Sequence, residues 1–381
     1  MKSICFRSLI LLFPLLLSSC KENKPEIVEE FDLCHEVVRR FLDSNDSETD
    51  LNILKNELGR YDRQYVSMKL PDDLYNCQVF YDEDPNFSNP MFYFPDYGDL
   101  TMCIPGKTYY YRAYTLKGDD EMRSPYSNYK DLIKLPSYEP TTQGVFKTKD
   151  DKVRYLNIEK LKNFRDIGGY STADGKKVKY GMLYRGPSLD EVTVFGTTQL
   201  KDQLGIKNEI DLRYDIEKTT SSFGVNYCHY GMQAYDCINP KHSSFKKYTK
   251  VALQNIFNLL SDEANYPAVF HCAAGADRTG TLAFLISGLL GVSRDDLTKD
   301  FELTSFSDFG LRCRGKLQSP YTYGLYQNDS NNYVNWGQLV LGVVNCGDSS
   351  LSLKERFRKF VSETYEISTE KFDALERIML E

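Results

Sequence analysis

Beyond its first twenty residues the chain has no apolar run approaching the ~20 residues that a membrane span needs. A basic excess is also missing: 47 Lys and Arg stand against 54 Asp and Glu, for a net charge of −7. That balance argues against a nucleic-acid binder, which would present a basic surface. Histidine is scarce, with four residues scattered along the chain, and the ten cysteines form no Cys-x-x-Cys pair. The usual spacings of a metal site are therefore absent. Tryptophan occurs once, at Trp336.

Core-forming material is plentiful. Of 381 residues, 41% are hydrophobic and 27% charged, enough for about two globular domains. The 28 Tyr and 22 Phe suit β-rich packing.

The most informative stretch is Val269-Phe-His-Cys-Ala-Ala-Gly-Ala-Asp-Arg-Thr-Gly280. Tyr266 to Phe270 predicts a short buried strand, and Thr281 to Leu290 a buried helix. Between them a tight loop starts at Cys272 and reaches Arg278. A loop entering a helix N-terminus presents backbone N–H groups and the positive end of the helix dipole. Ala273, Ala274, Gly275, Ala276, Asp277 and Arg278 thus make an anion cradle, which Arg278 can close with a two-pronged phosphate contact. Cysteines beside helix N-termini and cations ionise readily. A thiolate facing a phosphate monoester is a phosphoryl-transfer nucleophile. A free core cysteine would explain neither the arginine nor the glycine and threonine around it.

This loop resembles the signature of cysteine-dependent protein phosphatases, with His271, Cys272, Gly275, Arg278, Thr279 and Gly280 on its fixed positions. Upstream, Leu161-Lys-Asn-Phe-Arg-Asp-Ile-Gly-Gly-Tyr170, Asp174-Gly175 and Gly181-Met-Leu-Tyr-Arg-Gly186 resemble the N-terminal signature of a family of bacterial tyrosine-type phosphatases, several of them secreted. The resemblance runs from roughly Tyr155 to Leu380. It implies an α/β fold, a mostly parallel sheet flanked by helices, with the site at the C-terminal strand ends.

It also implies roles. Cys272 forms a cysteinyl-phosphate, and Arg278 and the loop amides hold the phosphoryl oxygens. His271 orders the loop from behind, and Thr279 brings its hydroxyl near the Cys272 sulfur. No metal or other cofactor is called for. The family gives the general-acid task to the Asp before the loop arginine, here Asp277; Asp236, on a loop after Tyr227 to Tyr230, is the alternative. Arg165, Asp166, Asp211 and Arg213 match family positions and are expected in structural salt bridges.

The expected substrate is a phosphorylated protein or small phosphomonoester, with phosphotyrosine or dual specificity. Some relatives with lipid phosphatase activity carry a basic residue where this chain has Ala276, which weighs against phosphoinositides. An inositol polyphosphate or phosphoinositide phosphatase is nevertheless the alternative. A surface binding lipoprotein with a vestigial phosphatase domain is a second.

At the start, Lys2 and Arg7 precede an apolar Leu9 to Leu17, and Leu17-Ser-Ser-Cys20 follows. This resembles a bacterial lipoprotein box, so residues 1–19 are expected as a signal peptide and Cys20 as the lipidated residue, anchoring the chain in the cell envelope. Residues 20–60 are expected as a tether and a short helix over Val28 to Leu42, packed on the domain that follows. Pro105-Gly-Lys-Thr-Tyr-Tyr-Tyr-Arg-Ala-Tyr114 resembles a late strand of a fibronectin type III-like sandwich, predicting a smaller β-sandwich-like domain over 61–137. A Pro-rich linker over 138–154 then leads to the phosphatase-like domain at 155–381. In an exported chain Cys77 with Cys103, or Cys228 with Cys237, are candidate disulfides among other pairings. Phe306 to Leu351 matches no pattern and reads as a lid, a substrate wall or a surface excursion.

Overall fold

The computed structural model describes residues 29–44, 77–93, 102–115, 139–214, 216–235, 248–307, 309, 312 and 327–381. The expected signal peptide, Cys20, Cys237 and Asp236 lie outside them. Two five-stranded sheets organise the described residues. The first has the order β1 (Glu29–Phe31), β5 (Thr142–Thr148), β4 (Thr108–Thr115), β2 (Cys77–Asp82) and β3 (Met91–Tyr93). The second has the order β6 (Arg165–Asp166), β7 (Leu183–Gly186), β10 (Ala268–His271), β8 (Asn208–Asp211) and β9 (Asn226–His229).

Eight helices are described: α1 (Glu36–Asp43), α2 (Val194–Thr198), α3 (Lys250–Leu260), α4 (Asp277–Leu290), α5 (Arg294–Glu302), α6 (Gln327–Val344), α7 (Leu353–Tyr365) and α8 (Thr369–Met379). In the second sheet β7, β10, β8 and β9 run parallel, and only β6 is antiparallel. His271 lies in register with both Gly186 and Asp211, and Asp211 with His229, so four strand ends meet on one edge. This is the α/β arrangement expected.

Successive side chains of a strand point to opposite faces, and β10 supplies both. Phe270 packs with helices α3, α4, α7 and α8, while Val269 faces a second core that includes the first sheet. All four β10 residues are buried, as fits a parallel sheet covered on both sides. The second core takes Cys77, Val79 and Tyr81 from β2 and Tyr109, Tyr111 and Ala113 from β4, alternate residues in each. Buried Arg154 adds to the join, donating to Cys103 O at 2.8 Å and pairing with Asp166 at 3.0 Å.

Several expectations are corrected here. Thr142–Thr148, placed in the linker, is a strand paired with β4 and β1, because its backbone completes the ladder on both edges. Glu29–Phe31, placed in the tether and its helix, is extended for the same reason, with Phe31 edge-on to Phe146 at 5.7 Å. The helix is shorter than predicted, and among the described residues its packing is not on the β domain. Its Val37, Val38, Phe41 and Leu42 enter the core of the helical layer, where Phe41 meets Phe306. The described strands of the first region form a single sheet, and a sandwich's second layer is not among them. Cys77 and Cys103 are both buried thiols, and no disulfide joins them. Much of the unassigned Phe306 to Leu351 stretch is structural: Trp336 on α6 stacks on Phe301 at 4.7 Å, and Leu339, Val340 and Val343 join the same core.

Candidate active site

Cys272 follows the last residue of β10, at the middle of the strand-end edge, and its side chain is 3% exposed. The loop after it is held by its carbonyls. Ser188 N–H donates to Ala273 O at 3.0 Å, Asn163 Nδ2 to Ala274 O at 3.1 Å, and Arg185 Nη2 to Gly275 O at 2.9 Å. Across a trans peptide the following N–H points opposite to the carbonyl. Tying these carbonyls outward therefore turns the amides of Ala274, Gly275 and Ala276 inward. Helix α4 begins at Asp277 with no side-chain cap at Ala276, so its leading amides add to the same cradle. Gly275 has φ +68, and a Cβ there would meet the Gly186 backbone at 2.7 Å. Glycine is required on both counts. Half-buried Arg278 follows, with no carboxylate partner among the described residues.

Beneath the loop, Asp300 on α5 holds two buried arginines: Arg165 at 3.2 Å, and Arg185 through Nη1. Burial, with Arg165's charge beside it, pushes the Arg185 guanidinium down to about 10. Burial drives the Asp300 carboxyl up, and the two arginines more than reverse this, leaving it below its usual range. Two cations on one anion leave net positive charge under an anion cradle, and Coulomb attraction is strong where water is excluded.

His271 ends β10 immediately before Cys272, and its ring is buried. Its Nε2 donates to Glu209 Oε1 at 3.0 Å, and Nδ1 lies 3.4 Å from Cys272 O. Glu209 also accepts from Lys218 at 3.0 Å. Burial raises the Glu209 carboxyl, but its hydrogen bonds, that of His271 first, leave it lower than usual. Asp211 takes Arg213 in a fork, Nη2 at 2.7 Å and Nε at 3.0 Å. The ligand atoms of Glu209, Asp211 and His271 lie within 4.8 Å of one another, close enough to surround a cation. Lys218 and Arg213 already neutralise the two carboxylates, and His271 Nε2 spends its proton rather than a lone pair on Glu209. The donor set suits a hydrogen-bond network better than a metal.

Asp277 sits at the rim, its side chain 26% exposed. Oδ1 accepts from Tyr235 at 2.9 Å and from Arg312 Nε at 3.1 Å, and Oδ2 from Arg312 Nη2 at 3.2 Å. Thr279 is fully buried, and its hydroxyl has no hydrogen-bond partner among the described residues, so the expected contact with the Cys272 sulfur is not formed.

Residues 156–309 match the model of a family described as "Tyrosine phosphatase family". A provisionally named tyrosine-protein phosphatase of Cupriavidus necator is 26% identical over 169 residues, 38% of this chain and 61% of the relative. The chain thus spans under two thirds of that relative's length. Among solved structures, the core catalytic domain of a PP-IP phosphatase from S. cerevisiae, in complex with citrate, is similar at 17% identity and TM-score 0.26, over 37% of this chain and 76% of that one. The sequence matches support a phosphatase family for this region.

The loop after β10 brings Cys272, the amides of 273–278, His271, Thr279 and Asp277 to one strand-end edge, with Asp211 and Arg213 beside them. Arg165 is in a salt bridge near the loop, as expected, whereas Asp166 pairs with Arg154 between the two sheets. The sequence reading missed Asn163, Arg185, Asp300, Tyr235 and Arg312. Asn163 and Arg185 stand inside the two upstream blocks that carried the resemblance, so a signal was present. Arg312 had none, since its segment matched no pattern.

Proposed function

We propose that this chain is an exported, lipid-anchored phosphomonoesterase that hydrolyses phosphotyrosine, with dual specificity as its broader range, through a cysteinyl-phosphate. The observation that carries the reading is the outward tying of three successive loop carbonyls around Cys272, which aims the loop amides at one point. A tetrahedral dianion with three equatorial oxygens matches such a cradle. The Cys272 thiolate attacks phosphorus, the P–O bonding pair passes to the leaving oxygen, and that oxygen takes a proton from Asp277. Water then attacks the cysteinyl-phosphate with the Asp277 carboxylate as base, releasing phosphate and restoring the thiolate. Support for an aromatic substrate comes from Tyr214, which follows β8 out of the same edge, 42% exposed, against Tyr248 at 6.0 Å between ring centroids.

The test is a turnover assay of purified protein on phosphotyrosine peptides, phosphoserine peptides, phosphoinositides and inositol polyphosphates. Phosphotyrosine should give the highest kcat/KM, by about tenfold or more, a margin of roughly 1.4 kcal/mol. A higher value on either inositol substrate would reassign the substrate. No turnover on any of them by a folded protein would favour the binding lipoprotein.

Support for the anchor lies in Leu9 to Leu17 and Cys20. No helix among the described residues is long and apolar enough to cross a membrane. Cys20→Ala should leave the membrane fraction once processed, and its retention there would contradict lipid anchoring.

A further inference from the structure

Arg312 is a buried cation that the reaction above does not use. Its residue is 5% exposed, its backbone N–H is fixed on Ser305 Oγ at 2.7 Å, and Nη1 reaches Phe309 O at 3.4 Å. Nε and Nη2 of the guanidinium form a fork on both oxygens of Asp277. With Tyr235 as a third donor, every one of these contacts uses Asp277 as an acceptor. A carboxyl accepting on both oxygens offers no proton to a leaving group.

We propose that Arg312 serves two anions in turn, the Asp277 carboxylate and the phosphate of the substrate, and that its transfer to the phosphate frees Asp277 to act as the acid. The proposal rests on the phosphomonoesterase reading. Reach is not an obstacle. A general acid lies one hydrogen bond from the oxygen leaving phosphorus. A guanidinium one hydrogen bond from that acid is thus within roughly 6 Å of the leaving oxygen, and the phosphoryl oxygens on the same phosphorus lie within the sweep of an arginine side chain rotating its torsions. The Tyr235 hydroxyl, pushed up mainly by burial, also feels Asp277, Arg312 and Cys272, which puts these groups in one neighbourhood.

Charge sets the direction of transfer. A phosphate dianion offers a guanidinium two negative charges where Asp277 offers one. After the exchange Asp277 keeps the bond to Tyr235, and beside the dianion it takes a proton from solvent. In the chemical step the sulfur pair forms S–P, the P–O pair goes to the leaving oxygen, and the Asp277 proton follows it. Arg312 stays on the transferred phosphoryl group. It thereby supplies from the chain after α5 the second cation that Ala276 does not.

The experiment measures competitive inhibition by inorganic phosphate, using an aryl phosphate with a good leaving group as substrate. Arg312→Ala should raise the phosphate Ki about 10- to 100-fold, the scale of losing a charge-assisted hydrogen bond, and Arg312→Lys should recover part of it. Asp277→Asn, which releases Arg312, should bind phosphate several-fold more tightly, and Arg312→Ala in that background should abolish the gain. A purely structural clamp would lower kcat on poor leaving groups and leave the phosphate Ki unmoved. A Ki within twofold of wild type in folded Arg312→Ala, or a gain that survives in the double variant, overturns the proposal. Should Arg312→Ala not fold, Arg312→Lys alone and with Asp277→Asn gives the same comparison. Wild-type protein that neither turns over aryl phosphate nor binds phosphate would fail the phosphomonoesterase reading itself, a result distinct from an unchanged Ki in an active enzyme.

Discussion

Cys272→Ser should bind inorganic phosphate or vanadate about as well as the wild type and turn over no substrate above background. The loss should be at least about 10⁴-fold, since removing a covalent nucleophile costs up to about 10⁶ elsewhere. Binding survives because the cradle is made of backbone amides, turned inward by Ser188, Asn163 and Arg185, whose hydrogen bonds go to the loop carbonyls of Ala273, Ala274 and Gly275. Turnover is lost because a neutral hydroxyl is a far weaker nucleophile than a thiolate. Oxidation gives an independent check: peroxide should inactivate the wild type, and phosphate should protect it. Residual turnover in Cys272→Ser of more than about a hundredth of wild type would end the covalent mechanism.

Asp277→Asn should slow phenyl phosphate and phosphotyrosine by about 10²–10⁴-fold, the usual worth of general acid catalysis, and slow an electron-poor aryl phosphate far less. A basic leaving oxygen needs the proton, whereas a good leaving group departs without it. The same variant should flatten the fall of the rate at high pH, where an essential acid loses its proton. Asp277 is held at the rim by Tyr235 and Arg312, one residue before Arg278, so it stands beside the cradle rather than beneath it. Asp236 directly follows Tyr235 in the chain but lies outside the described residues. If only Asp236→Asn shows the loss that depends on the leaving group, the acid is Asp236.

The two variants separate what the loop does by shape from what it does by chemistry. Phosphate affinity should follow the amides and the arginines. Turnover should follow Cys272 and the proton donor. The phosphate arms of the Arg312 experiment then read the first property without interference from the second.

The strand, loop and helix start around Cys272 were legible because they are local. Within twelve consecutive residues, Cys272, Gly275 and Arg278 state a strand, a loop that only glycine can turn, and the start of a helix. The strand over Thr108–Thr115 was legible for the same reason, since alternation is written within a few neighbouring residues. The linker and tether were misread because a short extended segment becomes a strand only when a partner offers a free edge. Glu29–Phe31 and Thr142–Thr148 find that partner in each other, more than a hundred positions apart.

By itself the sequence determined where the loop between strand and helix lies, with Cys272 at its start and Arg278 at its end. Only the tertiary structure decided what holds the loop and what holds Asp277. Asn163, Arg185 and Ser188 reach the loop carbonyls from upstream, and Asp300 anchors the arginines from α5. Arg312 arrives at Asp277 from 35 residues further along the chain. Hydrogen bonds and ion pairs have no sequence period, so a partner at long range leaves no pattern beside the residue it serves. Folding alone brings these groups within 3 Å or so of each other.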